Sequence, residues 1–357
     1  MVDETRKNWI DAAKGYGMIL VILGHIAEYT PVGLAIYSFH MPMFFFLSGY
    51  LLSVRGSFID FAVRKTKRLL VPYFLYAIPL VLWDAIVIRG KNYWQYAPVF
   101  DGTKLISIDG FNGTFDWNTL GEQSEISILL RDMLGLIIQK RMWTHWFLAC
   151  LIILCLLFYG LIVFIKKEYV RTVIVTMITI AGFCYYHLGG KPLIWNIDAV
   201  FVASSFFYAG YMAKKYNMVD GMLNLGKPAI IITVSAGLTI LFCSLNYLLS
   251  GYGLDMYNCE YGIVPIMYIS AFSGTTFIIS LSNLSNPSFI RFIGRHSIYY
   301  FIFHQGIFIP VIEKILNRLT IFQAKGSDGV IYDLLALGLT CGCISLPIYL
   351  MEKGYHR

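Results

Sequence analysis

Residues 8–28, NWIDAAKGYGMILVILGHIAE, form a run long and apolar enough to cross a bilayer, yet they carry Asp11, Lys14 and His25. A membrane-crossing helix needs about 20 residues at a rise of about 1.5 Å each. An ionisable side chain near the middle of such a helix costs roughly 2.5–3.5 kcal/mol on insertion scales, so its presence points to chemistry or transport. Lys14 and His25 are eleven positions apart. That is about 16 Å along the axis and close to three full turns, so both project from nearly one face. The lysine then stands near one mouth of the membrane and the imidazole lies deeper, with Asp11 about one turn before the lysine. The competing explanation is a lysine that snorkels to the interface and a histidine bonded to a neighbouring helix.

Comparable apolar runs recur to the end of the chain. Of its 357 residues 57% are hydrophobic and 14% charged, against about 25% charged in a soluble domain. The mean hydropathy is +0.65. The runs are continuous rather than alternating, which excludes a membrane β-barrel. The fold expected is all-α: a polytopic transmembrane helical bundle of about ten spans in one domain, residues 1–357, with no appended soluble domain and no cleavable signal peptide. The spans fall near 9–28, 33–54, 70–89, 143–165, 170–188, 196–213, 227–249, 261–282, 296–316 and 329–350. A basic amphipathic stretch (56–69) precedes the third span, and a long loop occupies roughly 90–141. Lysines and arginines in the short loops favour one side: Arg55 and the 64–68 cluster, Lys166, Lys167 and Arg171, Lys214 and Lys215, Arg291 and Arg295, and Lys353. That bias puts both termini in the cytoplasm and the 90–141 loop outside. The seven cysteines show no metal-like spacing with histidines and suit small apolar packing positions. No metal site and no nucleic-acid partner are expected.

Further polar residues lie in or beside the spans. His40 enters the second span from the outer side, at a depth matching that of His25, and Pro42 can bend that helix. The stretch VRKTKRLLVPYF holds Arg64, Lys65, Lys67 and Arg68, suited either to anionic lipid headgroups or to a bound phosphate. His145 opens the fourth span, and Trp195, Asn196 and Asp198 open the sixth. An acid there can accept from a sugar hydroxyl and a tryptophan can stack on a sugar ring, although tryptophans also anchor helices at the interface. In the ninth span Arg295 marks one mouth and His304 sits about 13 Å further in.

These fragments together resemble the membrane-bound acyltransferase-3 family, and the WNID segment resembles its fucose-4-O-acetylase-like branch. The resemblance rests on R-x-x-W-I-D-x-x-K-G at 6–15 running to Gly24-His25, FHMPMFFFLSGY at 39–50, and KRLLVPY at 67–73. It continues through WFL at 146–148, PLIWNIDAVF at 192–201 and GRHSIYYFIFH at 294–304. It implies a multi-pass enzyme of the cell (plasma or inner) membrane that moves an acetyl group from cytoplasmic acetyl-CoA to a hydroxyl of a cell-surface or lipid-linked carbohydrate. On that resemblance His25 is the catalytic base of a direct transfer or, by the other route, the carrier of an acetyl-imidazole intermediate; Lys14 and Asp11 organise the donor channel, and the 64–68 cluster with Arg295 holds coenzyme A phosphates. The family's paired arginines map onto Arg68 and, less cleanly, onto Lys65 with Arg64 beside it. His40, His145, Trp195, Asn196, Asp198 and His304 would contact substrate or support the base, with His40 or His304 donating to the oxyanion. Aromatic residues of the outer loop (Tyr93, Trp94, Tyr96, Phe111, Trp117) would help hold a glycan. The rivals are a secondary transporter or acyl-group flippase without covalent chemistry, and a structural subunit of a glycan-export assembly.

Overall fold

The computed structural model describes residues 8–28, 30–83, 146–319 and 329–355, and the described residues are all-helical apart from turns and one isolated bridge between Asp255 and Glu260. Two compact units are formed, one from Met1–Leu51 with Ala209–Arg357 and the other from Leu52–Tyr208.

In the first unit α1 (Asn8–Ile26) is the central element. Around it pack α2 (Pro31–Tyr37), α3 (His40–Tyr50), α10 (Val264–Leu284), α11 (Ser288–Arg295), α12 (Ser297–Phe303) and α14 (Val330–Tyr355). Its polar residues are tolerable because neighbouring helices, rather than lipid, cover most of its surface. Trp9, Ile10 and Ala13 pack with Phe39, with Met43, Leu47 and Tyr50 of α3, and with Ile278 and Ile279 of α10. Met18, Val21 and Ile22 pack instead with Ile293, Tyr300, Ile309, Ile344 and Ile348. Between these two faces the backbones of α1 and α11 touch. A Cβ placed on Gly15 would strike the carbonyl of Ile290, and one on Gly294 would strike the carbonyl of Asp11. Small residues at such a crossing let membrane helices approach closely enough for dispersion to hold them.

Two of the expected spans are interrupted, each for a reason legible in the covalent chemistry. The 33–54 span breaks at Ser38 and Phe39, not at Pro42. Pro42 has no N–H for the carbonyl of residue 38 and clashes with it, so the ladder fails four residues back while the proline sits harmlessly in the first turn of α3. Thr30 caps α2, accepting from the Gly33 amide at 3.2 Å. The 296–316 span is divided into α12, a π-helical segment (His304–Phe308) and α13 (Ile309–Leu316). Pro310 leaves the Gly306 carbonyl without its usual donor, and a π turn is one way the chain absorbs that loss. The first unit is completed by the end of α7 (Ile197–Lys215), a short α8 (Met218–Leu223) and α9 (Pro228–Ser250), which packs along α10.

The second unit contains α4 (Phe58–Trp83), α5 (Trp146–Phe164), α6 (Glu168–His187) and most of α7. The amphipathic stretch and third span expected as separate features form the single helix α4. Tyr159 of α5 anchors its start, donating to the Gly56 carbonyl at 2.8 Å and packing on Phe61. Phe158 stacks on Phe207 of α7, and a Cβ on Gly182 of α6 would collide with Phe201.

Six described helical stretches are long and apolar enough to cross a membrane: Pro31–Tyr50, Trp146–Phe164, Glu168–His187, Pro228–Ser250, Val264–Leu284 and Val330–Gly354. The protein is multi-pass.

The α1–α11 crossing yields a direct test. Gly15→Ala or Gly294→Ala forces carbonyl oxygens apart and should cost about 1–3 kcal/mol or more, read as a lower unfolding temperature in detergent. Gly338→Ala in α14, where an added Cβ meets nothing within 4 Å, should leave that temperature unchanged or raise it, since alanine outranks glycine in a helix by about 1 kcal/mol.

Candidate active site

Three histidines and a tyrosine meet at one end of α1. His25 lies in the last turn of α1, partly buried. Its Nδ1 is 2.9 Å from the hydroxyl of Tyr37, the final residue of α2, and the rings meet edge to face at 5.8 Å. The break after Tyr37 then turns the chain so that His40, the first residue of α3, lies 5.0 Å ring to ring from Tyr37. His304 opens the π segment and faces His25 from the other side, ring centroids 5.2 Å apart. His25 and His40 thus both contact Tyr37, and His304 joins the group through His25.

Hydrogen bonding assigns roles to the ring nitrogens. His40 Nδ1 is 2.9 Å from the carbonyl of Ile36. His304 Nδ1 lies 2.9 Å from the Tyr300 carbonyl and 2.8 Å from that of Phe301. A carbonyl only accepts, so each Nδ1 carries the hydrogen, and Nε2 of the neutral ring is a lone pair. His304 is fully buried, and its Nε2 has no hydrogen-bond partner among the described residues. The expectation that neutral His40 or His304 donates to an oxyanion therefore does not hold: both are set up to accept. Tyr37, absent from the residues expected from sequence, supplies the hydroxyl beside His25, and that hydroxyl can either donate to the ring nitrogen or accept from it. Its only sequence signal is its place three residues before His40, and tyrosines at helix ends usually mark the interface.

Lys14 and Asp11 lie below on the same helix, Asp11 buried and Lys14 partly so, and both have interaction partners. Arg295 is exposed at the end of α11. Next to it His296 ties that corner to α14, its Nδ1 2.9 Å from the Phe292 carbonyl and its Nε2 2.9 Å from Glu352.

The basic cluster belongs to the second unit. Arg64 and Arg68 are one turn apart on α4, both exposed, and Lys65 lies over the Phe61 ring at 5.5 Å. Lys67 is exposed as well. The Arg64 guanidinium donates to the Arg55 carbonyl at 2.9 Å, and Ser53, Arg55, Gly56 and Arg64 line an open cleft of 330 Å³. Ser57 caps the helix, accepting from the Asp60 amide at 3.2 Å and donating to its carboxylate at 2.7 Å. Arg55 thus joins the expected set through the turn before α4.

Trp195, Asn196 and Asp198 occupy the turn into α7. Trp195 and Asn196 both have left-handed backbone angles, φ 55° and 54°, a conformation that is uncommon outside glycine. Cys150 donates to the Asn196 carbonyl at 3.3 Å, and the Ala199 amide donates to Asp198 at 3.2 Å. Asn196 is wholly enclosed and Asp198 nearly so, which suits them to shaping this turn rather than to an open sugar platform. Trp195 is partly exposed. His145 and the aromatic residues of the 90–141 loop lie outside the described residues.

Comparison with known proteins bears on the chemistry of the histidine cluster. Two curated relatives are both named nodulation protein NolL. The one from Sinorhizobium fredii is 35% identical over 95 residues, covering 23% of this chain and 24% of the relative. The one from Mesorhizobium japonicum is 36% identical over 97 residues, covering 23% and 26%. The match thus spans about a quarter of each relative's length. No solved structure matches significantly. The profile of the acyltransferase-3 family, described as an acyltransferase domain, matches residues 7–350, and the chain belongs to that family.

Proposed function

We propose that this protein is an integral-membrane O-acyltransferase that moves an acetyl group from cytoplasmic acetyl-CoA to a hydroxyl of a cell-surface or lipid-linked carbohydrate, in the plasma or inner membrane. The observation that carries the reading is the Tyr37–His25–His304 arrangement in a member of an acyltransferase family.

His25 acts as the general base. With Nδ1–H donated to the Tyr37 oxygen, the Nε2 lone pair takes the proton of the acceptor hydroxyl as that oxygen attacks the thioester carbon. The C–O bond forms, the C–S bond breaks, and the imidazolium returns its proton to the departing sulfur. Tyr37 fixes the tautomer and orientation of the base, as a hydrogen-bonded partner does in a catalytic triad, while its own O–H remains a donor for the oxyanion. The neutral His304 ring, 5.2 Å from His25, brings an Nε2 lone pair near the imidazole that becomes positive and stabilises it. Lys14 and Asp11 order the donor side. Arg55, Arg64 and Arg68 supply guanidinium forks for the donor's phosphates, and Arg295 adds charge at the end of α11.

Purified protein incubated with radiolabelled acetyl-CoA and candidate glycans should transfer label to the glycan. His25→Ala should lower the rate by about 10²–10⁴-fold, the usual contribution of a positioned base, with folding intact. Coupled flux without acetylated product would instead establish a transporter.

Tyr37→Phe keeps the ring and removes the hydroxyl. Its kcat should fall roughly tenfold, the equivalent of one hydrogen bond of about 1.4 kcal/mol, with little change in KM for acetyl-CoA. Arg55→Gln or Arg64→Gln should do the reverse, raising KM for acetyl-CoA and leaving kcat nearly unchanged, because a remote phosphate contact is made equally in ground and transition states.

A further inference from the structure

The start of α6, Glu168-Tyr169-Val170-Arg171, contains a charge that the proposed chemistry does not use. Arg171 heads the buried stripe of this helix, followed by Val175, Thr179 and Gly182. The stripe packs on α7: Thr179 is 3.3 Å from Ser204, and Thr172 is 2.9 Å from the Tyr208 hydroxyl. Packing therefore draws the arginine inside, and its side chain is only 9% exposed.

A guanidinium has five N–H groups to satisfy. Here Nε has no hydrogen-bond partner among the described residues, and Nη2 stands 3.8 Å from the Glu168 carboxylate. That separation is too long for a hydrogen bond. Glu168 is the first residue of α6, so the contact also shows that the guanidinium folds back over the helix's opening turn. Lys167 stands at the N-cap and makes no side-chain capping bond. The dipole of a 20-residue helix adds positive charge at the same point. Lys166 and Lys167 flank the turn and are exposed. A buried, under-satisfied cation placed against the positive end of a helix is unfavourable unless an anion joins it.

We propose that the first turn of α6, with Arg171 as its fork, binds a phosphate group. Two oxygens of a tetrahedral phosphate match the guanidinium edge, and a third meets the first-turn amides. The helix is among those able to cross a membrane, which places its first turn at the depth of lipid headgroups. A soluble phosphate ester offers the same chemistry. The site is separate from the Arg55–Arg64 cleft and does not depend on the acyl-transfer reading.

The test uses the full-length protein in two arms. In phosphatidylcholine nanodiscs, fluorescent phosphatidylglycerol is titrated; in lipid-free detergent, inorganic pyrophosphate is titrated by calorimetry. Saturable binding in the first arm alone identifies a lipid phosphate, and in the second alone a soluble one. In whichever arm binds, Arg171→Gln should weaken affinity at least tenfold. Arg171→Lys, which keeps the charge but not the fork, should weaken it less. Glu168→Gln, on a less buried residue, removes the competing carboxylate and should tighten binding several-fold. Equal affinity of wild type and Arg171→Gln overturns the proposal. So does a Glu168→Gln affinity that is unchanged or weaker, which holds even if the Arg171 variants fail to fold.

Discussion

The first unit depends on the enclosure of α1. A helix bearing an aspartate, a lysine and a histidine is a poor solute in hydrocarbon, and what makes it admissible is contact with other helices over most of its surface. The tightest of these contacts is carbonyl against glycine at Gly15 and Gly294. Because backbone rather than side chain meets there, it tolerates little adjustment, and it fixes the height and rotation of α1. The position of His25 three turns further on follows from that fixation.

The same enclosure determines what the histidines can do. Two of the three spend Nδ1–H on backbone carbonyls four residues earlier in the chain, which leaves Nε2 of each neutral ring as a lone pair. The third spends Nδ1 on a tyrosine, a partner that can donate as well as accept. His25 is therefore the ring of the three whose Nδ1 meets a side chain rather than a backbone carbonyl, and so the one whose partner a substitution such as Tyr37→Phe removes without disturbing the backbone.

Much of this was legible in the chain. Helical class follows from continuous apolar runs, and the three expected spans that carry His25, His40 and His304 stand out as apolar runs with an embedded histidine. Three things were not legible. Tyr37 looks like an interface anchor until the break at Ser38 and Phe39 is seen beside its contact with His25. The position of that break depends on where the missing amide of Pro42 is felt, one turn earlier than the proline itself. Asn196 and Asp198 looked accessible because polar residues at a span's edge usually are, and the left-handed backbone of Trp195 and Asn196, invisible in residue identity, carries them inward. The basic cluster was visible as charge, but the part of Arg55 depends on the turn at Gly56 (φ 78°) and on Arg64 reaching back to it.

The π segment at His304–Phe308 has a consequence beyond placing one ring. A single extra residue within a helix advances everything after it by about 100° of rotation. Tyr300 before the segment and Ile309 after it nonetheless belong to one apolar cluster with Ile344 and Ile348 of α14. The insertion works as a phase shift that keeps both halves in register with a single neighbour, and it spends the surplus angle on the residue at the junction. Deleting one residue within this segment would leave the apolar residues in place in the sequence and still rotate one half of the helix away from α14, so the length of the segment, more than the identity of its residues, aims the histidine.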